Sequence, residues 1–269
     1  MPTRPHTILS CAVSIDGYLD DTARDRLILS GPEDLDEVDA LRAAADAILV
    51  GAGTIRADNP RLLVRDPARI AAREAGGRPP HPLRVTLTAT GDLDPRAHFF
   101  TGPGTALVYA TSAAVAAAEE NARGRALVID AGAELSLAAI GEDLSSERMV
   151  VTLLAEGGAL ILRDLLAANL ADELRLAIAP FFVADTRAPR FALPADYPHT
   201  SENPMTLLSV RRVGTVAVHH YRLPQRLPRL GQPQLRPTVR RAAVRRFLPS
   251  GAKTACRCAR CRASRRSRG

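Results

Sequence analysis

The feature that most constrains this chain is the regular alternation of short apolar runs with helix-length stretches, several of them meeting at a glycine. Residues 7–15 are apolar and β-branched and stop at the turn dipeptide Asp16-Gly17, which predicts a buried strand. Residues 46–50 repeat the pattern and run straight into Gly51-Ala52-Gly53-Thr54. Further strands are expected at 84–88, 106–110, 126–129 and 149–154, the last leading through Glu156-Gly157-Gly158 into a helix at 159–168. An Ala-rich helix is expected at 113–121. Ser30 and Glu33, with Pro32 between them, have the form of a capped helix start. They predict a helix to about residue 45, with Leu35, Val38, Leu41 and Arg42 at spacings of three and four. Gly76-Gly77 and Pro79-Pro80 make residues 66–82 read as a surface loop. Strands alternating with helices imply an α/β fold, a mostly parallel sheet flanked by helices on both faces. The pattern then changes. Strands at 174–179, 207–213 and 216–223, the last two joined at Gly214, predict an antiparallel hairpin closing one edge.

Charge divides the chain sharply. Of its 36 Lys and Arg residues, 14 lie after Leu223, where there is no Asp or Glu, leaving 22 basic against 29 acidic groups before it. The net charge of +7 therefore describes an acidic body carrying a basic appendage. Residues 1–223 read as the folded domain. Residues 224–269 are rich in Arg, Pro, Ala and Ser and read as a disordered basic tail, too poor in apolar surface to offset ordering entropy. That composition is also the one that unselected translation of GC-rich DNA produces. The tail is the one region suited to a nucleic acid, through Val239 to Phe247, but Phe247 is its lone aromatic for stacking on bases. No apolar run approaches the roughly 18 residues that cross a bilayer, so no membrane partner and a cytoplasmic address are expected.

Two strand ends carry the chemistry. At Gly51-Ala52-Gly53-Thr54 and at Glu156-Gly157-Gly158 a buried strand gives way to a helix. Absent side chains let a ligand reach the main chain there, and free helix-start amides favour phosphate. The spacing is not the G-x-G-x-x-G of a Rossmann first turn. Cys256-x-Cys258-x-x-Cys261 offers three thiols with no fourth ligand in the tail, and His219-His220 point to opposite faces of one strand, so no metal is expected.

Taken together, Val13 to Gly17, Leu41-Arg42-Ala43, residues 46–54, Ala57-Asp58-Asn59-Pro60-x-Leu62-x-Val64-Arg65, Glu156-Gly157-Gly158, residues 170–174 and Ala179-Pro180 form an ordered set over roughly residues 5–223. That set resembles the reductase domain of riboflavin biosynthesis, the C-terminal half of the bifunctional pyrimidine deaminase/reductase. The resemblance implies a dihydrofolate-reductase-like fold, an NADPH cofactor and reduction of a ribosylamino-pyrimidine 5′-phosphate to its ribitylamino product. A homodimer is also implied, since that family is commonly dimeric. It implies cofactor contacts at Val13, Leu27, Gly51, Gly53, Thr54, Asp58, Ala89 and residues 157–164, among them Gly157, Gly158, Ala159 and Leu160. Substrate contacts fall at Asp25, Arg42, Leu62, Arg65 and Glu156, with Asp58 and Glu156 at the reacting end. Arg42 and Arg65 suit a phosphate, being permanent forked cations.

The chain departs from the family pattern at three places: Leu27 where an aromatic is frequent, Leu63 where Thr is usual, and Thr88-Ala89 where Asp-Ser is common. The H-x-E and P-C-x-x-C signature of the zinc deaminases is missing from residues 1–223, so a stand-alone reductase is expected. Another NADPH reductase of the same fold, acting on dihydrofolate or a related pterin or pyrimidine, is the competing enzyme. A phosphorylated substrate is favoured because it accounts for both arginines.

Overall fold

The computed structural model of the protein describes residues 3–23 and 27–224. Asp25 and residues 225–269 of the expected basic tail thus lie outside the described residues. Nine strands form one sheet: β1 (His6–Ser14), β2 (Ala47–Gly51), β3 (Leu83–Thr88), β4 (Ala106–Ala110), β5 (Leu127–Asp130), β6 (Thr152–Gly157), β7 (Glu173–Ala179), β8 (Thr206–Val213) and β9 (Val216–Arg222). Their order is β5-β4-β3-β2-β6-β1-β7-β9-β8. Every pairing is parallel as far as β7, and the expected hairpin β8–β9 adds antiparallel at that edge, turning at Gly214 with φ +57°.

Two apolar layers cover the sheet. On one face Leu9, Leu49, Val85 and Leu107 pack against α6 (Leu137–Ser146) and α7 (Ala159–Ala167). On the other, Ile48, Val50 and Val108 pack with Leu41 of α1 (Pro32–Ala44), Ile55 of α2 (Ala52–Asp58), Phe99 of the short α4 (His98–Thr101) and Ala118 of α5 (Val115–Ala122). No helix among the described residues is long and apolar enough to cross a membrane.

Four local expectations need correcting. Helix α1 starts at Pro32 with Gly31 as its cap and no side-chain cap bond, so Ser30 does not close a capping box; proline's fixed φ starts the helix instead. Residues 66–82 are not all loop. Asp66 accepts from the main-chain N–H groups of Ala68 and Arg69 and starts α3 (Pro67–Ala75), with Pro67 in its first turn. Strand β6 begins at Thr152 rather than Met149, whose φ of +57° breaks the extended chain. Along α1 the buried positions are Asp34 and Asp39, while Leu35 is 43% exposed. Helix α6, capped by Ser136, was not foreseen.

Chain direction explains where a ligand can lie. From β2 the chain winds outward through β3 and β4 to β5, then returns to lay β6 between β2 and β1, and continues past β1 to β7. The winding reverses at the β2/β6 pair. In an open parallel sheet the loops leaving two such strands diverge to opposite faces and leave a crevice at their C-terminal ends.

Candidate active site

A cleft of about 780 Å³ occupies that crevice. Its floor is the C-terminal ends of β3, β2 and β6, represented by Thr88, Gly51 and Glu156, with Ala12 of β1 beyond them. Of the residues expected from sequence to form the site, Leu27, Gly51, Gly53, Thr54, Asp58, Ala89, Glu156, Gly157, Gly158, Ala159 and Leu160 line it, as does Asp164. Val13 and Leu62 are buried in the protein interior and do not line it, and neither Arg42 nor Arg65 does.

The glycines differ in what they do. A Cβ at Gly158 would sit 3.0 Å from Thr54 Oγ1, and Gly158 is also the cap of α7 with φ +86°. The two strand ends therefore meet main chain to side chain, at a distance that a bulkier residue would open. Gly157 has φ +145°, backbone that L side chains rarely adopt, although its Cβ direction is empty. Gly53 has neither strain nor close neighbours, so no packing reason demands a glycine there. What its missing side chain provides is open main chain facing the cleft. An extended, phosphate-bearing group suits this cradle, because the start of α7 lines the cleft and the first amides of a helix lack intrahelical partners.

Glu156 owes its direction to a bulge. Leu49 of β2 pairs with Ala155 of β6, but the next residue, Val50, pairs with Gly157, so Glu156 is the extra residue in the ladder. A bulge kinks the strand and re-aims the inserted side chain. Here it turns a carboxylate toward the cleft from a strand otherwise buried. Arg42, in the last turn of α1, donates to it through Nε and Nη2, each at 2.6 Å, and through Nη1 to the carbonyl of Leu63 at 3.3 Å. The side chains are 18% and 11% exposed. Burial opposes the Arg42 charge, but Glu156 more than offsets it and raises the Arg42 pKa above its ordinary value. With each guanidinium nitrogen already engaged, Arg42 is a buttress for Glu156 rather than an open phosphate fork.

Arg65 is held differently. Its main-chain N–H donates to Asp39 Oδ1 at 2.7 Å, that of Asp66 to Asp39 Oδ2 at 3.2 Å, and Arg69 Nη1 adds a third contact at 3.1 Å. Burial pushes the Asp39 pKa upward, yet these donors outweigh it and the carboxyl stays below its usual range. At its other end the same segment is fixed by Asn59, whose Oδ1 accepts from the main-chain N–H of His98 at 2.7 Å. Between the two anchors Leu62 is buried in the left-handed region at φ +53°, a conformation that only such over-determination maintains. The Arg65 side chain itself is 57% exposed and donates from Nη2 to the carbonyl of Leu35, itself a cleft residue. Sequence reasoning missed Asp39, since an acid between Val38 and Ala40 carries no local sign of its remote partners.

Comparison with known proteins identifies the family and the fold. Residues 5–219 match the family described as RibD C-terminal domain. The 2,5-diamino-6-ribosylamino-4(3H)-pyrimidinone 5′-phosphate reductase of Archaeoglobus fulgidus is 34% identical over 187 residues, 69% of this chain and 85% of its own. Among solved structures, a pyrimidine reductase-like protein from Corynebacterium diphtheriae superposes with a TM-score of 0.69 at 22% identity, covering 82% of this chain and 93% of that one. Acinetobacter baumannii RibD superposes with a TM-score of 0.68 at 22% identity over 83% of this chain, which spans 59% of that longer protein. At such identities the structures establish the shared fold.

Proposed function

This chain belongs to the RibD C-terminal domain family, and from that premise we propose that it is an NADPH-dependent reductase converting a ribosylamino-pyrimidine 5′-phosphate to the ribitylamino compound. The observation that carries the reading is the bulged, Arg42-buttressed Glu156 standing beside the Gly157-Gly158 cradle in one cleft. The Archaeoglobus relative is named for this reaction.

Reduction requires the ribosylamine to open to an imine, C1′ to gain a hydride and the adjoining nitrogen to gain a proton. A bound nicotinamide supplies that hydride, and the protein's contribution is to hold donor and acceptor carbons in register and keep water out. Gly51, Gly53, Thr54, Ala89 and residues 157–160 would hold the cofactor, with Leu27 lining the same cleft. Glu156, salt-bridged as a carboxylate, accepts hydrogen bonds from an amino-pyrimidine or ribose hydroxyl and fixes the reacting end. Asp58, half-buried at the end of α2, lines the same cleft and is assigned with Glu156 to the reacting end. Arg65 reaches for the 5′-phosphate from beside Leu35. Arg42 serves by holding Glu156.

The test is an NADPH-oxidation assay offering the 2-amino and the 2-oxo ribosylamino-pyrimidine phosphates beside dihydrofolate. Turnover of either pyrimidine phosphate, with none of dihydrofolate, is the expected result. Turnover of dihydrofolate alone would move the assignment to the competing enzyme.

A further inference from the structure

We propose that Arg56 is the residue that recognises the 2′-phosphate of the dinucleotide and so makes the cleft select NADPH over NADH. This rests on the nicotinamide reading above and adds a specificity determinant to it. The charge balance of the cleft motivates it. Among the described residues that line the cleft there are four carboxylates, Asp20, Asp58, Glu156 and Asp164, and a single cation, Arg56. Main-chain amides at the start of α7 can meet a diphosphate, but a phosphate monoester dianion in so acidic a setting calls for a guanidinium.

Position fits as well. Arg56 lies on α2, one turn after Ala52, and its Nη1 donates to the carbonyl of Asp92 at 2.8 Å, in the segment that follows β3. That tie places it at the β3 end of the cleft beside Thr88, Ala89 and Thr90, opposite the α1 end where Arg65 adjoins Leu35. Ala89 and Thr90 are exposed there. The Thr90 Oγ1 accepts from the Asp92 N–H, which leaves its hydroxyl hydrogen available to donate. The Arg56 Nε and Nη2 have no partner among the described residues. Asp92 Oδ2 stands 3.8 Å from Nη1 with its side chain 77% exposed, a solvent-screened pair that yields readily to a phosphate. A phosphate monoester could also come from the substrate, and the experiment separates the two sources.

Binding is measured by calorimetry for the wild type, Arg56→Ala and Arg56→Lys with NADPH, NADH, adenosine 2′,5′-bisphosphate and 5′-AMP. KM for the pyrimidine phosphate is measured alongside. Arg56→Ala is expected to weaken NADPH and adenosine 2′,5′-bisphosphate by about tenfold to a hundredfold. NADH and 5′-AMP should change less than about twofold, with Arg56→Lys between wild type and alanine. Equal loss of NADPH and NADH would mean that Arg56 only supports the cleft, and overturns the proposal. So would a higher KM for the pyrimidine phosphate with adenosine 2′,5′-bisphosphate binding intact, which would assign Arg56 to the substrate. A wild type that binds NADH as well as NADPH also overturns it while leaving the reductase reading standing. A wild type that binds neither dinucleotide overturns that reading, and this proposal with it.

Discussion

Asp34 at the start of α1 and Arg42 at its end each join the helix to the sheet through a guanidinium–carboxylate pair, yet only the second borders open space. Asp34 accepts from Arg175 of β7, which also donates to Glu37 at 3.0 Å, and Glu37 in turn binds Arg211 of β8 at 2.8 Å. This network rivets α1 across β7 and the hairpin. Arg42 and Glu156 are nearly as buried, but Glu156 stands in a bulge and lines the cleft. Burial and pairing are common to both sites. What distinguishes a working carboxylate is a face left toward a ligand and a local backbone distortion that puts it there.

The largest expected effect belongs to the structural pair. Arg175→Met leaves Asp34 buried without its partner and should cost about 3–5 kcal/mol, lowering Tm by on the order of 10 °C in a chain of this size. Thermal and denaturant unfolding measure it, and the folded fraction should keep its kcat. A variant that melts normally but turns over slowly would erase the contrast between the two pairs.

Glu156→Gln keeps the shape and removes the charge. Turnover should fall by about a hundredfold to a thousandfold, because the charge that orders the reacting end is lost, while Tm should fall less than in Arg175→Met, because the glutamine carbonyl still accepts from Arg42. Arg42→Ala should add little on top of Glu156→Gln if Arg42 acts through Glu156. Fully multiplied losses in that double-mutant cycle would instead mean that Arg42 meets the substrate directly.

Arg65 contributes one charge-assisted contact. Arg65→Ala should lower kcat/KM by about tenfold to a hundredfold with NADPH affinity nearly unchanged. A dephosphorylated substrate analogue should lose a similar factor with the wild type and little further with the variant, because both changes delete the same interaction. Independent losses would detach Arg65 from the phosphate.

The smallest effect is expected at the chain's end. Leu223 is buried and donates its N–H to the carbonyl of Asp172 at 2.8 Å, so the described fold closes there. We propose residues 1–223 as the whole reductase unit. A chain ending at Leu223 should match the full chain within about 1 °C in Tm and twofold in activity, while losing any salt-sensitive retention on DNA. Aggregation or lost activity would show that the basic segment supports the domain.

Much of this protein was legible in its sequence for a local reason. Strand or helix is decided by the side chains within a few positions, which is why residues 106–110 and the helix starting at Ala159 agree with the structure and the hairpin at Gly214 was foreseen. The ordered motifs from Val13 to Pro180 likewise carried the family, because each motif is a short contiguous segment and their order along the chain is itself readable. Legibility ended where the partner is remote in sequence. Nothing local marks Asp34, Asp39 or Arg84 as buried, yet Arg84 is 1% exposed, donating to the carbonyls of His98, Gly102 and Gly104. Arg42 read as a phosphate ligand because its spacing from Glu156, 114 residues, is invisible to any local pattern. The bulge at Glu156 exists only as a register between two strands far apart in the chain. Sequence determined which segments fold and which carry polar chemistry. Packing decided which of those charges meet one another and which face the cleft, since a charge's role depends on what surrounds it in space.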